Sequence, residues 1–117
     1  MKKLTTIISA VMALGLGTSA SAQVNLTAET ASPSSAPGVS VIALSEAAAK
    51  YNVANMQVTT GQTLTNSVQN VAEGKSDVAA APFVLPFLLS CAVGPYAKVG
   101  KEKGAELASQ LAVLYTY

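Results

Sequence analysis

The sequence predicts an α/β fold, one parallel sheet with helices laid against it, and three observations point there. Short apolar runs at residues 24–28, 56–59, 78–81 and 111–115 alternate with longer segments of helical periodicity. Between the second and third runs, Leu64, Val68, Val71 and Ala72 recur at i, i+4, i+7 and i+8. That spacing gives one apolar helix face, opposite Thr65, Asn66, Gln69, Asn70 and Glu73. The punctuation agrees: Thr63 offers a hydroxyl to the free N–H groups of the helix start, and Gly74 falls where helices commonly end in the left-handed conformation. Residues 56–81 therefore read as a βαβ unit. Its hydroxyl-rich helix start lies at the carboxyl end of the first strand, where open α/β sheets bind ligands.

The amino end reads as a targeting segment. Lys2 and Lys3 precede an apolar stretch at residues 4–17, and Ala20-Ser21-Ala22 matches an A-x-A cleavage site. Residues 1–22 are expected to be a signal peptide and residues 23–117 the exported, periplasmic chain. The apolar core is shorter than the roughly 20 residues of a spanning helix, so the mature chain is not expected to cross a membrane. The uncharged stretch 78–94 is interrupted by Pro82 and Pro86, which argues against a second candidate span.

Composition excludes several functions. Lysine supplies all 7 basic residues against 6 acids, and in the expected mature chain Lys98, Lys101 and Lys103 are the sole basic grouping, which is no footprint for nucleic acid. The chain has no His, and so lacks the commonest general base and metal ligand. Cys91 is alone, with no partner for an internal disulfide or a zinc site, and Leu88, Leu89, Ala92 and Val93 around it predict burial. No G-x-S-x-G elbow, Walker-type loop or S-x-x-K appears. An enzyme is not expected, nor a metal or cofactor.

The remaining elements follow in order. Residues 29–38, rich in Ser, Pro, Ala and Thr, predict an irregular loop. Val41, Leu44, Ala48 and Tyr51 then form an apolar helical stripe, widened by Ile42 and Ala47, with Glu46 and Lys50 as an outward i, i+4 pair and Asn52 as the stop. Asp77 reads as a turn residue before the third strand. Pro82 turns the chain into a buried helix over 83–92, with Pro86 in its first turn and Gly94-Pro95 closing it. A weak helix ends near Gln110, and residues 111–117 predict a fourth strand. No cap or charged tail follows that strand, whose bare edge would recruit other chains, so the chain is expected to be part of a longer, truncated protein.

Taken together these residues resemble the TAXI family, the solute-binding proteins of TRAP transporters, over residues 24–117. The family's first strand leads into a small-residue loop and helix, here Leu26-Thr-Ala-Glu-Thr-Ala-Ser-Pro-Ser-Ser-Ala-Pro-Gly-Val39. Its Thr-Gly-Gly-Ser-x-x-Asn type turn is matched by Thr60-Gly61-Gln62-Thr63-Leu64-Thr65-Asn66, with Gln62 in place of the second glycine. Glu73-Gly74-Lys75-Ser76-Asp77-Val78-Ala79 matches its Glu-Gly-x-x-Asp sequence before a strand.

The resemblance implies the first part of lobe one of a type II periplasmic binding-protein fold. It further implies capture of a small carboxylate, plain or amino-acid-like, for transfer to TRAP membrane subunits. Ser32, Ser34, Ser35, Thr60, Gly61, Thr63 and Asn66 are the expected ligand-binding residues. Two helix starts there, each with roughly half a positive charge, favour an anion without Arg or Lys. The alternatives are a small secreted structural or interaction protein, and a non-functional truncated remnant.

Overall fold

A computed structural model describes residues 22–116; the expected signal segment, apart from Ala22, lies outside them. A three-stranded parallel sheet carries the fold, in the order β2-β1-β3. Strand β1 (Val24–Glu29) pairs along its whole length with β2 (Ala54–Thr59), Val24 opposite Ala54 and Glu29 opposite Thr59. On its other side it pairs with β3 (Val78–Ala79), in the register Ala28 to Val78 and Glu29 to Ala79.

Helix α1 (Ala36–Lys50) connects β1 to β2, and α2 (Leu64–Ala72) connects β2 to β3. The two crossovers run in opposite directions from β1, so right-handed connections place their helices on opposite faces. Neighbouring side chains of β1 show this directly. Ala28 is fully buried against Val41 of α1, whereas Glu29, pointing the other way, meets Asn70 of α2. On the α2 face, α3 (Val84–Cys91), a 3-10 turn (Gly94–Tyr96) and α4 (Lys101–Ala108) complete the larger apolar cluster, formed by Val68, Ala72, Leu85, Leu89, Tyr96 and Leu107.

The local signals act as their chemistry dictates. Thr63 Oγ1 accepts from Asn66 N at 3.4 Å, and Gly74 has a φ of 74°. Pro86 sits in the first turn of α3, where a missing N–H is tolerated. Asn52 takes a φ of 55° after the end of α1, a conformation asparagine adopts more readily than most residues.

Several expectations are corrected. α1 begins at Ala36, inside the segment read as loop, because Ser35 caps it and Pro37 fits its first turn. Tyr51 and Ala47 are exposed and do not extend its buried stripe. Lys50 lies over the Tyr51 ring, 5.7 Å from its centroid, and makes no ion pair with Glu46. β3 is two residues long because Ala31, the residue whose alternation would next face β3, accepts from Gly61 N on the other side, so the line of β1 offers nothing to Ala80 and Ala81. Cys91 is half-buried. Residues 111–116 form no strand: Leu111 packs on the larger cluster, and the Tyr115 hydroxyl bonds Ser40 Oγ at 2.8 Å instead of the segment pairing along a sheet edge.

Asp77 is a turn residue with a further task. Its Oδ2 accepts from Thr27 N at 2.8 Å and Thr27 Oγ1 at 3.0 Å, while its own N–H donates to the Thr27 carbonyl, clasping β1 to the start of β3. The Thr27 backbone and hydroxyl bonds hold this carboxyl below the usual aspartate range. A depressed folded-state pKa contributes stability above the unfolded value, about 4, and loses it as pH falls through the folded one. Asp77→Asn is therefore expected to melt lower than the parent at pH 7 and to lose less on acidification, so that the two melting curves converge in acid. Parallel melting temperatures across that range would show that the clasp carries no charge dependence.

Candidate functional site

The site is built at the carboxyl edge of the sheet. β1 and β2 are parallel, so the loops that follow them leave from the same edge, and main-chain pairing continues past both strand ends. Thr30 N donates to the Thr59 carbonyl at 3.0 Å, Gly61 N to Ala31 O at 3.0 Å and Gln62 N to Thr30 O at 3.1 Å. Ser32, Ser34 and Ser35 are thereby carried on one loop, and Thr60, Gly61 and Thr63 on the other, with Asn66 in the first turn of α2. All seven expected residues lie at this one edge, each loop ending in a helix start.

Their hydroxyls are partly committed to the fold. Ser32 and Ser34 bond each other at 3.0 Å. Ser35 Oγ donates to the Ser32 carbonyl at 2.6 Å and accepts from Gly38 N at 3.2 Å, which makes it the cap of α1. Thr63 caps α2 and also accepts from Thr65 Oγ1 at 3.3 Å. Gly61 is left-handed at a φ of 83°, and Thr60 and Asn66 are exposed, their side chains without a partner among the described residues. α2 is braced from behind by Tyr96, 1 % exposed, whose hydroxyl donates to the Thr65 carbonyl at 2.9 Å. Burial raises the pKa of that phenol, keeping it a donor.

The structure adds groups that the sequence reading passed over. Glu29, the last residue of β1, is half-buried and takes the Asn70 amide on both oxygens, at 3.2 and 3.0 Å. Thr30 and Ser67 are fully buried, and their hydroxyls have no partner among the described residues. The loop after β3, residues 80–83, brings Phe83 to the same edge with 79 % of its surface exposed. In the order β2-β1-β3 the chain reverses direction between β1 and β3, and the crevice at such a switch point is the usual ligand position. Glu29 and Ala79 face each other across it. Asn70 was legible as one turn beyond Asn66; Glu29 became relevant only once β1 was known to show that face to α2.

Two shallow hollows flank these elements. One, ≈ 520 Å³, lies at the far end of α2 against α4, lined by Gly74, Lys103 and Leu107; the other, ≈ 490 Å³, lies on the outer face of α1 and touches only Ser34 of the expected set. Among the described residues no cluster of three or more His, Cys, Asp or Glu could hold a metal, and no helix is long and apolar enough to cross a membrane. No protein-family model, curated protein or solved structure matches this chain.

Proposed function

We propose that the chain is the ligand-capturing part of a TAXI-type solute-binding subunit, in a lobe of the type II periplasmic binding-protein kind. In this reading it is exported to the periplasm, takes up a small organic acid and passes it to TRAP membrane subunits. One observation carries the reading: the two post-strand loops are zipped together at the carboxyl edge, so two capped helix starts flank one place. The positive ends of the two helix dipoles favour an anion there without a basic side chain.

Thermal-shift titration of the full chain with mono- and dicarboxylates and amino acids tests this. One acid is expected to raise the melting temperature with the logarithm of its concentration, adding about 2.7 kcal/mol of stability at roughly a hundred times its Kd. A flat response to the whole panel overturns the reading. What would then stand is a secreted interaction protein, which the exposure of Phe83 and Phe87, 79 % and 60 %, favours.

A further inference from the structure

We propose that β2 is a dimerisation edge: two copies of the chain pair it antiparallel across a two-fold axis at Gln57, joining their sheets in the order β3-β1-β2-β2-β1-β3. The pairing concerns the side of the sheet and not the ends of its strands, so it holds whatever the carboxyl edge binds.

β2 pairs with β1 alone, so its outer side carries no strand among the described residues. The Thr59 carbonyl accepts from Thr30 N, which fixes the alternation: Asn55, Gln57 and Thr59 turn their main chain to β1, and Met56 and Val58 turn theirs outward. An open edge of this kind is a template for another chain, and proteins usually blunt it with a charge, a proline, a bulge or mere shortness. β2 uses none of these. No charged residue occurs between Tyr51 and Ala72 and no proline between Gly38 and Ala81, while the register with β1 is unbroken over all 6 residues. The opposite edge of the sheet is blunted: β3 is 2 residues long and follows the Asp77 carboxylate directly.

A second copy is the occupant because the strand complements itself. Pairing about Gln57 sets Met56 opposite the second copy's Val58, where the two exchange both main-chain bonds, and the symmetry repeats the exchange on the other side of the axis. Met56 and Val58 both pack against the cluster of Ala28, Val41 and Ala80, so on that face apolar side chains meet apolar ones. On the other face Asn55, Gln57 and Thr59 are exposed. Gln57 meets its own copy there, at the close Cα spacing of about 4.5 Å, and a carboxamide both donates and accepts, so it matches itself. Asn55 gives its amide N–H to Asn25 Oδ1 at 3.3 Å and keeps its own Oδ1 to accept from the Thr59 hydroxyl opposite. Ala54, 4 % exposed, lies outside the paired segment. An extended peptide of unrelated sequence would satisfy the main chain equally well but not the facing amides.

Sedimentation velocity of the full chain from about 1 µM to about 1 mM is expected to show monomer giving way to dimer, the range open to an edge-only interface well below the usual ~1,600 Å². Gln57→Lys and Gln57→Glu each put like charges face to face on the axis and are expected to weaken the dimer about tenfold or more. Mixed in equal amounts they are expected to restore it, since Lys then faces Glu. In the parent, exchange of the Met56 and Val58 amide protons is expected to slow as the dimer fills, a readout that needs no variant. A parent that stays monomeric at the top of the range overturns the proposal and leaves the edge to an extended segment of another protein. A dimer that forms without protecting those two amides overturns it too. So does a dimer that survives in both variants, folded by their circular dichroism, or a mixture of the two that fails to recover it.

Discussion

Gly104→Ala is expected to lower the unfolding free energy by about 2 kcal/mol, the net of an overpacking cost near the top of the usual ~1–3 kcal/mol range and a helix-propensity gain of ~1 kcal/mol. Gly104 is where α4 touches α3 through the main chain. An added methyl would overlap the Leu89 carbonyl oxygen and press on the Ala92 methyl at 3.2 Å. Neither group can rotate aside, so α4 must lift away and expose Leu107 and Leu89, which are 5 % and 0 % exposed. A fall of roughly 10 °C in melting temperature follows for a domain of this size. A variant that melts with its parent would show that the two helices do not meet at this glycine.

Gly38→Ala is expected to be at least as damaging and to reach the candidate site as well. The new methyl would overlap the Ser32 carbonyl oxygen and come within 2.9 Å of the Pro33 Cα. That carbonyl accepts both the Ser35 N–H, at 3.0 Å, and the Ser35 hydroxyl, at 2.6 Å, and the same hydroxyl caps α1 through Gly38 N. Displacing it combines overpacking with loss of a cap, about 3 kcal/mol in all. It also moves Ser32, Ser34 and Ser35 together. Ser35→Ala, which removes only the cap, is expected to cost ~1 kcal/mol. Equilibrium unfolding in urea ranks the two, and equal losses would show that the close approach of Gly38 to the loop carries no weight. In the capture reading, acid-dependent stabilisation also weakens far more in Gly38→Ala than in Ser35→Ala.

Elements specified by near neighbours were legible before the structure. The stripe of α2, its Thr63 cap, Gly74, the Pro86 turn and Asn52 are all decided within a few residues of themselves, by periodicity, a missing N–H or a tolerated φ. Elements that depend on distant partners were not. Residues 111–116 carry the apolar content of a strand, but a strand exists only with an edge to pair with, and here the segment is tied to Ser40, 75 positions back from Tyr115. β3 was shortened by where Ala31 turns its carbonyl, which nothing within residues 78–81 records. The common edge of the two loops followed from parallel strands and was foreseeable. Glu29 was not, because its relevance depends on which face α2 covers.

Thr30 gives its N–H to Thr59, the last residue of β2, and accepts from Gln62 N on the loop that follows, where Gly61 N adds a third bond to the Ala31 carbonyl. The two loops are thus stitched into one body before anything binds. In the capture reading, a guest arriving between them need not freeze two independent segments, so the ordering entropy that usually erodes affinity has already been met during folding. On that reading selectivity at this edge would come from the fixed spacing of its dipoles, and a guest of the wrong length would find no compliance in the walls.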